Sequence, residues 1–146
     1  MTTHMRQTHI DAAATALAGL TTTGANVFKS RLTPLQASEL PALILRAGPE
    51  RIIRKTLPAA TAVFERHLQL DVFVFVAAQD ELDAALNAIF LEVEPALAVT
   101  ASGIRTITLF NIDRPTFSQG GQDMVFAAMN YEIVYLSEEN APDVAR

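Results

Sequence analysis

The sequence predicts an α+β domain in which two helices pack on a mostly antiparallel sheet, in the order α-β-β-β-β-α-β-β. Residues 62–76 alternate between two faces with a period of two, as a half-buried strand does. Residues 82–97 follow almost at once and carry apolar side chains at three- and four-residue steps, as an amphipathic helix does. The segments on either side of this pair have the character of further strands, so we expect one sheet to organise the chain.

The long strand over residues 62–76 changes character along its length. One face carries Phe64, Arg66, Leu68, Leu70, Val72, Val74 and Val76, and the other carries Glu65, His67, Gln69, Asp71, Phe73 and Phe75. The second face turns apolar at Phe73, so we expect the helix that follows to lie over Phe73 and Phe75. At roughly 3.3 Å per residue the strand reaches about 50 Å, which is more than a small domain buries. We therefore expect its first half to project as a β-arm.

The predicted helix has one apolar stripe and a charged start. The stripe consists of Leu82, Ala85, Leu86, Ile89, Val93 and Leu97. Asp80 and Glu81 lie at its beginning, where carboxylates interact favourably with the positive end of the helix dipole. Pro95 lacks a backbone donor, so we expect it to kink or weaken the last turn.

The chain ahead of the long strand predicts one helix and three strands. The helix covers residues 7–20, with Thr8 as its N-cap. A short strand follows over residues 27–32, and an apolar strand that suits a central position covers residues 42–47. The third strand, residues 50–56, is charged.

A projecting β-hairpin is predicted from the segments next to the long strand. Gly48-Pro49 reads as a turn, and residues 50–56 after it form the charged strand. Residues 57–61 then turn the chain into the long strand. We expect these two strands to pair as an extended hairpin.

The chain beyond the predicted helix completes the sheet. Residues 104–112 and 123–136 alternate as strands, and residues 113–122 hold a proline and a glycine pair and so form a connection. We expect residues 137–146 to be polar and frayed.

The length predicts a single domain, residues 1–146. Its folded core is expected over residues 5–137, with flexible tails at residues 1–4 and 138–146. Half of the residues are hydrophobic, which argues against disorder.

Composition excludes several classes of function. The chain has no cysteine, which removes disulfides and thiolate metal sites. Its formal net charge of -5 argues against a general nucleic-acid surface, which needs clustered cations. No apolar run approaches the ~20 residues of a membrane span, and the N-terminus lacks the apolar core of a signal peptide. We expect a soluble, cytoplasmic protein.

No pattern of side chains predicts catalysis, a metal site or a bound cofactor. Glu65, His67 and Asp71 share one strand face, but neighbours two residues apart lie ~7 Å from each other and need another strand to complete a metal site. A solvated polar face explains them better. The carboxylates of the predicted helix are better explained by capping and solvation than by a general acid–base pair. We therefore expect that the protein is not an enzyme.

A basic cluster on the predicted hairpin is the candidate functional surface. It consists of Arg51, Arg54, Lys55 and Arg66, with His67 beside them. One interpretation is a hairpin that is merely solvated. Another is a hairpin that docks on an acidic surface of another subunit, because charge complementarity across an interface fixes register and partner choice. Nucleic-acid binding is the least favoured reading in an acidic chain.

Three passages together resemble the tail terminator proteins of long-tailed bacteriophages, which are also called minor tail protein U-like. The passages are MRQTHIDAAATALAGL with VFKSRLTPL, then LPALILRAGPE, then RHLQLDVFVFVAAQDELDAALNAIFLEVEPAL, and a closing strand of the type FAAMNYEIVYL. The likeness covers about residues 5–137 and consists of element order and local phrases.

The resemblance implies a structural role in a phage or prophage virion. Proteins of this family assemble as hexameric rings on the end of a finished tail tube, stop its polymerisation and present the surface that joins the head. The implied partners are other copies of the chain, a tail-tube protein and a head–tail connector protein, with no membrane and no specific nucleic acid, although DNA passes through the ring. The implied location is the virion tail, and the bacterial host cytoplasm during assembly.

Two further readings stay open at the level of sequence. One is another head–tail connector or tail-completion protein, since such proteins share this layout. The other is a small ligand-binding or enzymatic α+β domain with a pocket between helix and sheet, which predicts convergent polar groups in a concave site. The sequence places mainly Ala, Leu, Val and Phe there, which disfavours that reading.

Overall fold

A computed structural model describes residues 3–56, 62–98, 106–117 and 124–145 of the 146-residue chain. Its helices and strands are, in chain order, α1 (Met5–Leu17), β1 (Val27–Lys29), β2 (Ala42–Thr56), β3 (Ala62–Ala77), α2 (Leu82–Ala98), β4 (Thr106–Ile112), β5 (Thr116–Phe117), β6 (Met124–Glu138) and β7 (Ala141–Ala145). A 3₁₀ turn at Ala37–Glu39 precedes β2. The predicted turn over residues 57–61 lies outside the described residues, as do residues 104–105 of a predicted strand and residues 118–122 of the predicted connection.

The described strands form one seven-stranded sheet. Its main spatial order is β1-β2-β3-β6-β4, and β5 and β7 each pair with β6. Every pairing in it is antiparallel except β1 with β2, which is parallel. The predicted α+β class with a mostly antiparallel sheet and two helices is therefore confirmed. On its side away from β3, β6 is lined in turn by β5, β4 and β7.

The main core lies between the two helices and one face of the sheet. On β3 this face is the one that carries Leu68, Leu70, Val72, Val74 and Val76, all buried. The helices contribute Ile10, Ala13 and Leu17 from α1, and Leu86, Ile89, Phe90, Val93 and Leu97 from α2. Pro95 lies inside α2 near its end, and the helix continues to Ala98. The apolar stripe predicted for α2 is thus the buried one.

The prediction that α2 lies over Phe73 and Phe75 is wrong. These rings point to the opposite face of the sheet, where they pack against a second cluster that includes Leu35, Ile44 and Met124. Strand alternation explains the difference, since α2 can cover only one face and the valines of β3 already occupy it. Leu35, in the segment between β1 and β2, packs with Phe73 and Phe75 on the face opposite the helices.

The strands predicted over residues 42–47 and 50–56 are one continuous strand, β2. Its register with β3 shifts between Ala47, which faces Leu70, and Glu50, which faces Leu68. Gly48 and Pro49 therefore lie together opposite the single residue Gln69, as in a β-bulge. A Cβ at Gly48 would sit 3.1 Å from the Cβ of Gln69, so the close approach favours glycine. The Gly-Pro pair marks a bulge rather than the predicted turn.

Several predicted boundaries shift in the structure. Helix α1 begins at Met5 rather than at residue 7, because the His4 side chain, rather than Thr8, caps it by accepting from the backbone N–H of Arg6. Strand β1 ends at Lys29, and the sequence did not predict β5. Residues 141–145, expected to be frayed, form β7 and pair with β6. In the part of the chain that the structure describes, no helix is long and apolar enough to cross a membrane.

Candidate functional site

We call residues 50–56 of β2 and residues 62–68 of β3 the arm. The two stretches pair antiparallel along their whole length, from Glu50 opposite Leu68 to Thr56 opposite Ala62, as the sequence predicted. The arm also has a third strand that the sequence did not predict, because β6 continues beside β3 as far as Glu138, opposite Val63. The arm is therefore the end of the main sheet.

Arg66 lies inside the arm and is only 6 % exposed. Its Nη1 donates to Glu50 Oε1 at 2.7 Å, and its Nε donates to Ser137 Oγ at 2.7 Å. Both side chains of the ion pair are almost completely buried, at 8 % and 6 % exposed. Alternation along β3 places Arg66 on the same face as Leu68, which is the face that the helices cover. Arg66 is therefore buried and is not part of the candidate surface.

Helix α1 is connected to this ion pair through Tyr135 and Gly48. The Tyr135 hydroxyl donates to Glu50 Oε2 at 3.0 Å, and the His9 ring packs on the Tyr135 ring with 4.3 Å between centroids. Arg6 Nη2 donates to the carbonyl of Gly48 at 2.9 Å and so ties the start of α1 to the bulge. The network joins α1, β2, β3 and β6 at the base of the arm.

Burial controls the acid–base chemistry of this network. Desolvation lowers the pKa of His9 below its ordinary value of 6.5, and the nearby Glu50 carboxylate opposes part of that change. His9 Nε2 is buried and, among the described residues, has no hydrogen-bond partner. Burial also raises the pKa of the Tyr135 phenol, which therefore stays protonated and donates to Glu50. A neutral His9 is the form that fits this site.

The other three cations of the arm are exposed, and two of them are paired within the chain. Arg54 donates to both carboxylate oxygens of Glu139 at 2.9 and 3.2 Å. Lys55 forms an ion pair with Glu65. Arg51 lies opposite His67 and is exposed, and within the described residues it has no ion pair. Much of the positive charge predicted for the arm is therefore neutralised by carboxylates of the same chain.

His67 lies between two carboxylates on the face of the sheet opposite the helices. Its Nε2 is 2.9 Å from Glu65 Oε1, and its Nδ1 is 3.3 Å from Glu132 Oε1. Hydrogen bonds from Lys55 and His67 lower the pKa of Glu65 from its ordinary 4.5 to about 2. The described residues contain no group of three or more His, Asp or Glu side chains arranged to hold a metal ion. These contacts form a chain of polar interactions along the surface, from Lys55 through Glu65 and His67 to Glu132.

The five predicted surface residues do not form one patch. Arg51, Lys55 and His67 share the face opposite the helices, whereas Arg54 and Arg66 belong to the helix side. Strand alternation causes this split, because adjacent residues such as Arg54 and Lys55 point to opposite faces, and the bulge at Gly48-Pro49 decides which of them share the face of His67. The sequence predicted a turn at the Gly-Pro pair, so it did not predict the phase of residues 50–56.

Two open sheet edges are surface features whose positions the sequence did not predict. Strand β1 pairs with β2 only over Leu43–Leu45, so among the described strands none pairs with the outer edge of residues 50–56. At the other side of the sheet β4 is the end of the strand order, and no described strand covers its outer edge. Large apolar side chains are exposed on both edges. They are Ile52 on β2, Phe110 and Ile112 on β4, and Phe117 on β5.

An apolar cavity of about 280 Å³ lies beside the start of α2. It is lined mainly by aliphatic side chains and by two polar residues, Thr22 and Gln79. A ligand-binding or catalytic pocket requires a convergent set of charged or polar groups, and among the described residues none lines this cavity.

Comparisons with known proteins give structural similarity but no match to a family model or a curated protein. No protein-family model matches the chain. No curated protein matches it either. Among solved structures, the chain is similar to a chain in the virion of a native gene transfer agent particle, at 18% sequence identity and a TM-score of 0.50. The match covers 89% of this chain and 89% of that chain. At this identity the comparison shows a shared fold along nearly the whole length.

Proposed function

We propose that this chain is a structural protein of a phage-like virion that acts by self-association and docking. The observation that carries the proposal is the fold, which the chain shares over 89% of its length with a chain of a gene transfer agent virion. The similarity extends over 89% of that chain as well, so the resemblance is between whole subunits. The arm is also consistent with a structural role, because three of its cations form ion pairs with carboxylates of the same chain.

Within the virion, the proposed role is that of a tail terminator. The chain forms a ring on the end of the tail tube, stops its growth and offers the surface to which the head connector binds. Support comes from the likeness in sequence phrases to tail terminators and from a sheet with two uncovered edges among the described strands. The formal charge of -5 is consistent with a ring through which DNA slides without adhering. The proposed location is accordingly the virion tail.

The proposal is tested by adding the purified protein to tail tubes assembled from the tube protein of the same virion. Electron microscopy is expected to show density on one end of each tube, and further addition of tube protein is expected to leave these tubes at constant length. Tubes mixed with a heat-denatured sample provide the control. A protein that stays monomeric by light scattering and never decorates tube ends would contradict the proposal. Binding to the head connector without tube binding would instead indicate another connector protein.

A further inference from the structure

We propose that copies of this chain join edge to edge, with β4 of one copy pairing antiparallel with residues 50–56 of β2 in the next. The partner is a second copy of this chain, and its contribution is a sheet edge rather than a charged patch. This inference deepens the proposed self-assembly and rests on it. It names the two surfaces that meet in the ring.

Strand direction permits such a joint without turning either copy over. The four strands β2, β3, β6 and β4 lie side by side, and each is antiparallel to the next. The two outer strands of an even set must run in opposite directions. An outer β4 can therefore meet the outer β2 of the next copy and continue the antiparallel alternation, with the helices of both copies on the same side.

The lengths and side chains of the two edges also match. Strand β4 has seven residues, and the uncovered stretch of β2 over residues 50–56 has the same length. With the helix-side residues of both strands kept on one face and the β4 bulge at Phe110 retained, antiparallel overlap places Ile52 opposite Leu109 and beside Phe110. Ile52 and Phe110 are 47% and 56% exposed. Cross-strand pairs of aromatic and β-branched residues stabilise antiparallel sheets. The pairing thus covers two of the large apolar side chains that one copy leaves exposed.

Charge favours this joint over a pairing of β2 with itself. Strand β4, TITLFNI, has no charged residue, which is unusual for an open edge that must avoid unwanted pairing. The β2 edge carries Arg51, Arg54 and Lys55. Two β2 edges brought together would bring Arg51 of each copy, which has no ion pair within the described residues, close to the cations of the other, which destabilises a sheet. In the proposed joint Arg54 faces Ile107 and Arg51 faces Asn111, so no like charges meet.

The register of the joint introduces a stagger between copies. Within one copy, Thr106 lies in the same row as Arg51, through Val134 and His67. In the joint, Thr106 faces Lys55, so each copy is displaced along the strands by about four residues, or roughly 13 Å. A sheet closes on itself only when its strands tilt and their register is staggered. The stagger is therefore of the kind that ring closure needs.

The absence of cysteine from the natural chain makes the joint directly testable. Ile52→Cys and Phe110→Cys proteins are mixed and treated with a short bis-maleimide at a concentration at which the wild-type chain self-associates. We expect a covalent dimer in the mixture and far less in either protein alone. Leu91→Cys, on the outer surface of α2 and 75% exposed, is mixed with Ile52→Cys as the matched control. As a second readout, Phe110→Lys is expected to reduce self-association by light scattering, whereas Leu91→Lys leaves it unchanged.

The outcomes separate this inference from the proposed function. If the wild-type chain forms rings but the Ile52 and Phe110 variants cross-link no better than the Leu91 control, the edge joint is wrong and the ring role stands. Strong cross-linking of Phe110→Cys alone also overturns the joint, in favour of a two-fold contact between β4 edges. If the specific dimer forms but tube ends are never decorated, the joint stands and the tail terminator role falls. A chain that does not self-associate even at tube ends overturns both.

Discussion

Arg66 Nη1 lies 2.7 Å from Glu50 Oε1 beneath helix α1, and each of these side chains is less than a tenth exposed. A buried ion pair of this kind contributes little net stability, because removing two charges from water offsets their attraction. Breaking the pair is different, since it leaves one charge buried without a partner. The pair consequently fixes how the arm and α1 fit together more than it strengthens the fold.

The first prediction concerns this ion pair. Arg66→Met is expected to lower the free energy of unfolding by about 3–5 kcal/mol, because Glu50 is then buried without a countercharge. Adding Glu50→Gln should recover most of the loss, because the amide oxygen still accepts from Tyr135. Urea unfolding followed by circular dichroism measures both changes. Arg51→Met, at an exposed position on the same arm, serves as control and should stay within about 0.5 kcal/mol of wild type.

The second prediction concerns His9 and acid. Burial lowers the pKa of His9, so below its ordinary value of 6.5 the unfolded chain takes up a proton that the folded chain does not. The free energy of unfolding should therefore fall as the pH drops from above 6.5 toward the lowered pKa in the folded state. His9→Phe keeps a ring against Tyr135 and should remove this part of the pH dependence. Urea midpoints measured across this pH range provide the test, and an unchanged slope in the variant would contradict it.

The charged groups around His9 set the controls for that experiment. Glu50 on β2 raises the pKa of His9, while Arg66 on β3 and Arg6 on α1 lie close enough to affect the Tyr135 phenol. Thr8→Phe, at the exposed position next to His9 on the same helix, is the matched control for placing an aromatic ring on α1. Its pH dependence below 6.5 is expected to follow that of the wild type more closely than the His9 variant does.

The third prediction concerns Glu65 at lower pH. Its pKa is lowered to about 2 by Lys55 and His67, so the stability that this carboxylate provides is present above pH 4.5 and is lost as the pH falls from 4.5 to about 2. Glu65→Gln should therefore be less stable than wild type at neutral pH and should converge with it as acid is added. Thermal unfolding over this pH range measures the difference. Glu81→Gln, at an exposed position before α2, should run parallel to wild type throughout.

The fourth prediction concerns the turn between β6 and β7. Asn140 has a φ of 61°, in the left-handed region, and lies in a two-residue connection between Glu138 and Ala141, which pair with each other. Asn140→Ala should lower the free energy of unfolding by about 1 kcal/mol, because a Cβ is disfavoured in this region when no short polar side chain compensates. Asn140→Gly should be close to neutral or slightly stabilising. Urea unfolding of both variants makes the comparison, and equal effects would argue against the left-handed turn.

The sequence predicted those parts of the structure that depend on periodicity. Alternation along β3 correctly separated its two faces, and it placed Arg66 on the apolar one with Leu68 and Leu70. The pairing of residues 50–56 with the start of β3 also followed from the sequence. The sequence did not predict the burial of Arg66, because its partners Glu50 and Ser137 come from strands whose register no local pattern specifies.

The candidate surface was harder to predict because it depends on which strands are neighbours. A basic cluster in the sequence gives no sign of the carboxylates that meet it in space, such as Glu139 beside Arg54. The same holds for the open edges, since the position of β4 at the end of the sheet follows from long-range pairing alone. Residues 141–145 read as polar and frayed, although a tight turn at Asn140 returns them to β6.

The bulge at Gly48-Pro49 gives the two halves of β2 opposite phase. Before it, the odd-numbered residues Leu43, Leu45 and Ala47 face the helices, and after it the even-numbered residue Glu50 does so. Regular pairing through Gly48 and Pro49, without the bulge, would place Arg51 instead of Glu50 on the helix side, opposite Arg66, and would bring two arginines together in the interior. The bulge in this short segment, more than the charges around it, therefore decides which side of the arm is buried and which side is available to a neighbour.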